Sequence, residues 1–153
     1  WPKDYYIELL RLLKNEDVQI ILFGGNDEEQ LCAEIANKSE SNAMNLAGKL
    51  SVLESAALIE RADLMLTNDS APLHIANAVK TDVFAFFGPT VRRFGCYPYR
   101  ANDRMLEIDL YCRPCSKHGG RRCPEKHFRC MLENPPEKIY SQIKTYFKDN
   151  TTR

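Results

Sequence analysis

The chain has 153 residues with an ordinary apolar share of 44% and formal charges that cancel, which suits one globular domain of usual size. Zero net charge gives no general pull toward nucleic acid or membrane, but it hides a segment, Arg92 to Arg129, that carries ten Lys/Arg against four Asp/Glu and so +6. The longest apolar run, Val83 to Phe87, is far short of the roughly 20 residues that a membrane-spanning helix needs.

In chain order, Pro2 to Lys14 places Ile7, Leu10 and Leu13 on one helical face, with a proline suited to the first turn. Val18 to Phe23 is a short apolar run ending at Gly24-Gly25, the pattern of a buried strand entering a tight turn. Asp27 to Ala36 reads as a helix with acidic residues in its first turn, where the helix dipole favours them. Met44 to Gly48 is a weaker strand. Ser51 and Glu54 form a capping box that opens a helix to about Arg61. Asp63 to Thr67 is a second buried strand, Asn68-Asp69-Ser70 a turn, and Ala71 to Val79 the helix that follows it. Val83 to Phe87 is the next strand, closed by Gly88-Pro89, and Met105 to Leu110 a last one. A helix over 136–148, with Ile139, Ile143, Tyr146 and Phe147 on one face, ends the chain.

Short apolar strands alternating with amphipathic helices predict an α/β fold: a Rossmann-like, doubly wound parallel sheet. Ligands of such sheets bind at the C-terminal ends of the strands. Three strand ends carry suitable chemistry: Gly24-Gly25-Asn26-Asp27, Asn68-Asp69-Ser70-Ala71 and Gly88-Pro89-Thr90. At Thr67 to His74 a strand meets a helix, whose unpaired first-turn N–H groups and dipole make an anion site fit for a pyrophosphate. Ser70 and Ala71 are small enough for phosphate to approach the backbone, and His74 lies one turn in. Asp69 is itself an anion, so it serves as a helix cap or as an acceptor for sugar hydroxyls. Asp-Ser before a helix also occurs simply as an N-cap, and a lone histidine on a helix is commonly structural.

Six cysteines are present, four of them spaced Cys112-x2-Cys115-x7-Cys123-x6-Cys130. With no leader pattern at Trp1-Pro2-Lys3-Asp4, reduced thiols are the expectation, and the cluster then suggests a structural zinc, with His118 and His127 as substitutes. Disulfides and thiols that merely pack a loop are the alternatives. Arg92, Arg93, Arg100, Arg113, Lys117, Arg121, Arg122, Lys126 and Arg129 surround the cluster.

The stretch Asn45-Leu46-Ala47-Gly48-Lys49-Leu50-Ser51, then Leu58-Ile59, Ala62-Asp63, Thr67 through Ala78, Phe87-Gly88-Pro89-Thr90 and finally Cys112-Arg113-Pro114-Cys115 closely resembles glycosyltransferase family 9, the ADP-heptose:lipopolysaccharide heptosyltransferases. The resemblance runs over nearly the whole chain and implies the C-terminal, donor-binding half of a two-domain GT-B enzyme. It further implies that Asp69-Ser70-Ala71 cradles the diphosphate with His74 beside it. Alanine stands at position 71 where many members have glycine. Glu28, or else Glu29, lies near the nucleoside ribose, after the Gly24-Gly25 turn, and Leu50, Ser51, Gly88, Pro89 and Thr90 line the crevice. The implied reaction is inverting transfer of heptose from an ADP-sugar to the lipopolysaccharide inner core, needing no cofactor for the chemistry. Its general base is expected in an N-terminal domain that this sequence does not contain. A sheet strand that normally precedes Trp1-Pro2, with its phosphate-binding Lys, is also expected to be missing, so the chain is expected to be an inactive fragment whose sheet is gapped, rearranged or completed by a partner, an unpaired edge inviting self-association. With no leader pattern the expected location is the cytoplasm, and the basic segment either rests on the inner membrane, holds the phosphate-rich acceptor, or is an ordinary solvated surface loop. The other readings are a different GT-B sugar-nucleotide enzyme, epimerase-like, or a zinc-stapled binding module; the Cys segment lacks the finger spacing and aromatic interleaving expected of a nucleic-acid binder.

Overall fold

The computed structural model describes residues 1–120 and 122–150, which form two compact units: Trp1–Leu50 with the described residues from Pro135 onward, and Ser51–Asn134. Among the described residues the α-helices and strands, alternating as expected as far as β4, are α1 (Lys3–Leu13), β1 (Ile21–Leu22), α2 (Glu29–Ser39), β2 (Met44–Asn45), α3 (Val52–Glu60), β3 (Met65–Asn68), α4 (Ala71–Val79), β4 (Val83–Phe86), β5 (Arg104–Leu106), α5 (Arg129–Leu132) and α6 (Pro136–Asn150). All strand pairs are parallel. The described strands form two sheets, β1–β2 and β3–β4–β5.

In the first unit, α1 presents Ile7 and Leu10 to Ile35 of α2, with Tyr6, Ile20, Leu22 and Ala43 closing over them. Helix α6 buries Ile139, Ile143 and Tyr146 at helical spacing. It is tied down by Glu16, which accepts hydrogen bonds from Tyr140 and Lys144. The Val18–Phe23 run differs from its expected form. Only Ile21 and Leu22 are strand, and the apolar residues of the run are half-buried rather than buried, because among the described residues β1 has one strand neighbour, β2. Backbone bonds continue the pairing past the strand, with Met44, Leu46 and Gly48 N–H donating to Ile20, Leu22 and Gly24. Gly48 takes φ +72, left-handed backbone that favours glycine.

The second unit is built around β4. Val83 through Phe87 are 0–1% exposed, because β4 is bonded on one edge to β3 and on the other to β5. The all-apolar run in the sequence is explained by that central place: a middle strand of a parallel sheet is covered on both faces. Helices α3 and α4 pack together, and the Thr81 hydroxyl donates to the Ile59 carbonyl at 2.6 Å, closing the loop between α4 and β4 over α3. Asp103 takes the N–H groups of Val83 and Arg100 at 2.8 and 2.7 Å, which sets the start of β4 against β5. The capping box at α3 forms as read: Glu54 N–H donates to Ser51 Oγ and Ser51 N–H to the Glu54 carboxylate. α4 has the bounds expected, whereas β5 stops at Leu106, four residues early.

Each large side chain of β4 contributes about 1.5–3 kcal/mol by leaving water. Phe86→Ala removes an aromatic ring that is fully buried, and urea unfolding is expected to show a loss of about 3–5 kcal/mol. Leu53→Ala, at a position 81% exposed, is expected to change stability by less than about 0.5 kcal/mol.

Candidate functional site

The C-terminal ends of β3 and β4 are adjacent in the second unit, and the polar residues expected there meet. Asp69 N–H donates to the Phe86 carbonyl at 3.2 Å, extending the β3–β4 ladder by one residue. The Thr90 hydroxyl, 6% exposed, then donates to Asp69 Oδ2 at 2.6 Å. One carboxylate oxygen is thereby fixed and the other points away from that bond. The two sequence motifs, 67–74 and 88–90, are thus joined by a single short hydrogen bond.

Ser70 is the N-cap of α4 by position, with extended backbone, but its hydroxyl does not cap the helix. It donates instead to the Asn68 carbonyl at 3.3 Å and lies 3.5 Å from the Thr67 hydroxyl. Asp69, committed to Thr90, does not cap it by side chain either. Pro72 has no N–H, and Leu73 N–H turns back to Ser70 O at 3.1 Å. The start of α4 therefore keeps its positive end uncovered by the side chain at its N-cap, a place where an anion is stabilised. His74 is on the exposed side of the first turn.

The turn 88–90 is held from a direction that the sequence did not reveal. Arg113 donates from Nε to Gly88 O at 2.6 Å and from Nη2 to Thr90 O at 2.9 Å; Nη1 reaches Ile108 O at 2.6 Å, and Nη2 also reaches the Glu107 carboxylate at 2.8 Å. Pro89 O between them accepts from Cys115 and Ser116 N–H at 3.1 and 3.3 Å. Three consecutive carbonyls are thus satisfied by the first residues of the Cys-rich loop. The Arg113 side chain is 6% exposed, so it is not part of the basic rim expected from the sequence. Gly88 packs closely on α5: a Cβ there would lie 2.7 Å from Met131 Cε, so the end of that flexible side chain would have to move, and 3.4 Å from Cys130 Sγ.

A small cavity of about 170 Å³ opens at this point, lined by Asn68, Asp69, Phe86, Gly88, Pro89, His118, Gly119, Gly120 and Met131. A wider depression of about 530 Å³ lies among Val91, Arg92, Arg93, Glu107, Asp109, Arg113 and Pro114. Several of the loop's cations are already engaged. Arg100 pairs with Asp82, Arg129 with Glu133, and Arg92 stacks over Tyr97 at 4.5 Å; Arg121 lies outside the described residues.

The four clustered cysteines are free thiols. Phe128 N–H donates to Cys123 Sγ at 3.4 Å and, with lesser help from the N–H groups of His127, Glu125 and Lys126, draws that thiol's pKa down. Burial pushes Cys130 up, with Cys123, Cys115 and Cys112 adding to the rise. Cys112 Sγ is 3.9 Å from His127 Nε2. Among the described residues no three His, Cys, Asp or Glu side chains are grouped closely enough to hold a metal ion.

Gly24, Gly25 and Glu28 belong to the first unit. Glu28 folds back so that its carboxylate accepts the Gly25 N–H at 3.0 Å. A side chain at Gly24 would collide with that carboxylate, and one at Gly25 would come within 2.8 Å of Asp27 Oδ1. The acidic residue expected at a ribose thus closes its own turn. His118 lines the small cavity, and the sequence suggested it only as a spare metal ligand. Nothing in the local pattern marks it, since its place depends on where the loop is anchored.

A family model for glycosyltransferase family 9 (heptosyltransferase) matches residues 1–127. Lipooligosaccharide heptosyltransferase 2 of Campylobacter jejuni is 32% identical over 98% of this chain and 47% of its own length. Two solved structures share the fold: a family 9 glycosyltransferase of Veillonella parvula (TM-score 0.82, 21% identity, 98% of this chain and 42% of that one) and the ADP-heptose LPS heptosyltransferase II of Escherichia coli (TM-score 0.77, 22% identity, 99% and 43%). The chain belongs to glycosyltransferase family 9 and has the α/β fold of part of these enzymes. It spans a little under half the length of curated relatives that it matches along nearly its whole length.

Removing the Arg113 fork leaves buried carbonyls unpaired, each costing about 1–3 kcal/mol. Arg113→Met is therefore expected to lower the unfolding free energy by about 2–4 kcal/mol in urea titrations. Arg113→Lys is expected to recover less than half of that loss, because one ammonium cannot span the four acceptors. Equal stability of wild type and Arg113→Met would contradict the clamp.

Proposed function

We propose that this chain holds the sugar-nucleotide donor of a heptosyltransferase, an ADP-heptose, and that the second unit receives its diphosphate at the start of α4. The observation that carries the proposal is the 2.6 Å Thr90–Asp69 hydrogen bond beside a helix start whose own cap residue leaves it uncovered. In a family 9 chain, that arrangement offers partners to the diphosphate and to the sugar of the donor. Ser70, Ala71 and the helix dipole face the diphosphate, and Asp69, oriented by Thr90, accepts hydrogen bonds from sugar hydroxyls. His74, exposed on the first turn, contributes more weakly from the rim.

The chemistry follows from these roles. Transfer of the sugar breaks its bond to the diphosphate, and negative charge grows on the departing oxygen. A preorganised positive helix terminus stabilises that charge most as it develops. Activating the acceptor hydroxyl requires a general base; we assign no residue of this chain to it. The E. coli relative whose fold is shared is named for ADP-heptose and LPS, which supports the same donor and a lipopolysaccharide acceptor here. The net charge of +6 over Arg92 to Arg129 suits a phosphate-rich acceptor or an anionic membrane surface. Among the described residues no helix is long and apolar enough to cross a membrane.

Calorimetric titration tests the donor reading. ADP and a non-transferable ADP-heptose analogue are expected to bind saturably to the wild-type chain. Asp69→Ala is expected to weaken the analogue about tenfold or more, the worth of a hydrogen bond to a charged group, and to affect ADP less because ADP lacks the sugar. His74→Ala is expected to cost under about threefold. A folded wild-type chain that binds neither ligand, or an Asp69→Ala variant that binds both unchanged, would count against the assignment.

A further inference from the structure

The 170 Å³ cavity is bounded on one side by the β3 and β4 strand ends and on the other by His118, Gly119 and Gly120 of the Cys-rich loop. Those three residues are not there by chance of a long loop. Ser116 N–H is bonded to Pro89 O, the Ser116 hydroxyl donates to Gly119 O at 2.7 Å, and His118 N–H donates back to that hydroxyl at 3.3 Å. His118 therefore sits in a tight turn two residues from an anchor on the turn that forms the opposite wall. Gly119 has φ +80, so the turn needs its glycine, and no atom lies within 4 Å of where a Cβ would be. The pair Gly119-Gly120 leaves backbone open toward the cavity with no side chains to fill it.

The cavity has a charge problem if a phosphate is to enter. Asp69 is in its lining and is an anion, and it would repel a second one. Among the described residues of that lining, His118 alone has a side chain that can carry positive charge; the others are Asn68, Phe86, Pro89, Met131 and glycines. The imidazole is exposed, so binding a ligand there does not require it to leave a buried partner. A charged imidazole donating to a phosphate oxygen makes a hydrogen bond of the stronger, charge-assisted kind.

We propose that His118 is a donor-contacting residue of this site: the Cys-rich loop carries its imidazole to the diphosphate, opposite the start of α4, where it offsets Asp69 and stabilises the leaving group. This rests on the donor reading above and adds a residue and a role to it. It also gives the loop a function that does not depend on a metal, since the same segment that clamps Gly88 to Thr90 delivers the cation.

The test compares ADP with adenosine, which lacks the phosphates, on the wild-type chain and on His118→Ala, His118→Gln and Lys117→Ala. The expected result is an ADP affinity about tenfold weaker in His118→Ala, a similar loss in His118→Gln, which keeps polarity without charge, and adenosine binding unchanged in both. Lys117, next to His118 but outside the cavity lining, is the control for general loop charge, and Lys117→Ala is expected to lose less than about threefold for ADP. Equal ADP affinity of wild type and His118→Ala overturns the proposal while leaving the donor reading intact. Equal losses in Lys117→Ala and His118→Ala overturn it as well, because they make the effect one of net charge. A wild-type chain that binds no ADP removes the donor reading, and this inference with it.

Discussion

Three successive carbonyls, those of Gly88, Pro89 and Thr90, point out of the end of β4 and find donors in the short stretch from Arg113 to Ser116. Buried or half-buried carbonyls without partners would be costly, and the fork of one arginine with two backbone N–H groups satisfies all three. Much in the second unit depends on this. With the turn fixed, Thr90 holds Asp69, so the ends of β3 and β4 keep one geometry. Gly88, pressed against Met131 and Cys130, places α5 beneath the turn. The loop that follows Ser116 leaves from the same anchor and so reaches the cavity at a defined place.

How far this was legible in the sequence depended on whether the information lay in side-chain pattern or in carbonyls. The apolar run at β4 and the alternation of strands and helices were readable because burial of a central strand and of helix faces leaves periodic marks. The Ser51–Glu54 box was readable because both partners are named in the sequence at fixed spacing. Ser70 looked like the same kind of cap and is not one: a serine hydroxyl can turn either way, and here it prefers the Asn68 carbonyl. Arg113 counts in the sequence as one more cation around the Cys cluster, since backbone acceptors have no residue identity; nothing in the letters shows that four acceptors wait for it. The Val18–Phe23 run promised a buried strand, yet burial depends on neighbours, and among the described residues β1 has one. The motifs around Asp69 and Thr90 were placed correctly on their strand ends, and their hydrogen bond needed the fold to bring 21 positions of separation to 2.6 Å.

Electrostatics at the cavity follow a simple balance. The cavity lining holds a carboxylate, Asp69, that is restrained by the Thr90 hydroxyl, and an imidazole, His118, while α4 starts two residues after Asp69. Such an arrangement can take an anion and a sugar together, the anion at the dipole and the hydroxyls at the carboxylate. The thiols nearby contribute packing and backbone turns: Cys130 fills space under Gly88 and Cys123 collects N–H groups at the bend before α5. Arg113, nearly buried, is neutralised by Glu107, so the charge offered to an outside partner comes from other members of the segment.

The central claim is that a nucleotide diphosphate sits between the start of α4 and the 118–120 turn. A titration of ADP into isotope-labelled chain, followed by amide NMR, addresses it directly. The account predicts that the amides of Asp69, Ala71, Leu73, Gly88, Gly119 and Gly120 shift together along one saturating curve, and that adenosine moves them far less. Saturable ADP binding that leaves those six amides in place would contradict it.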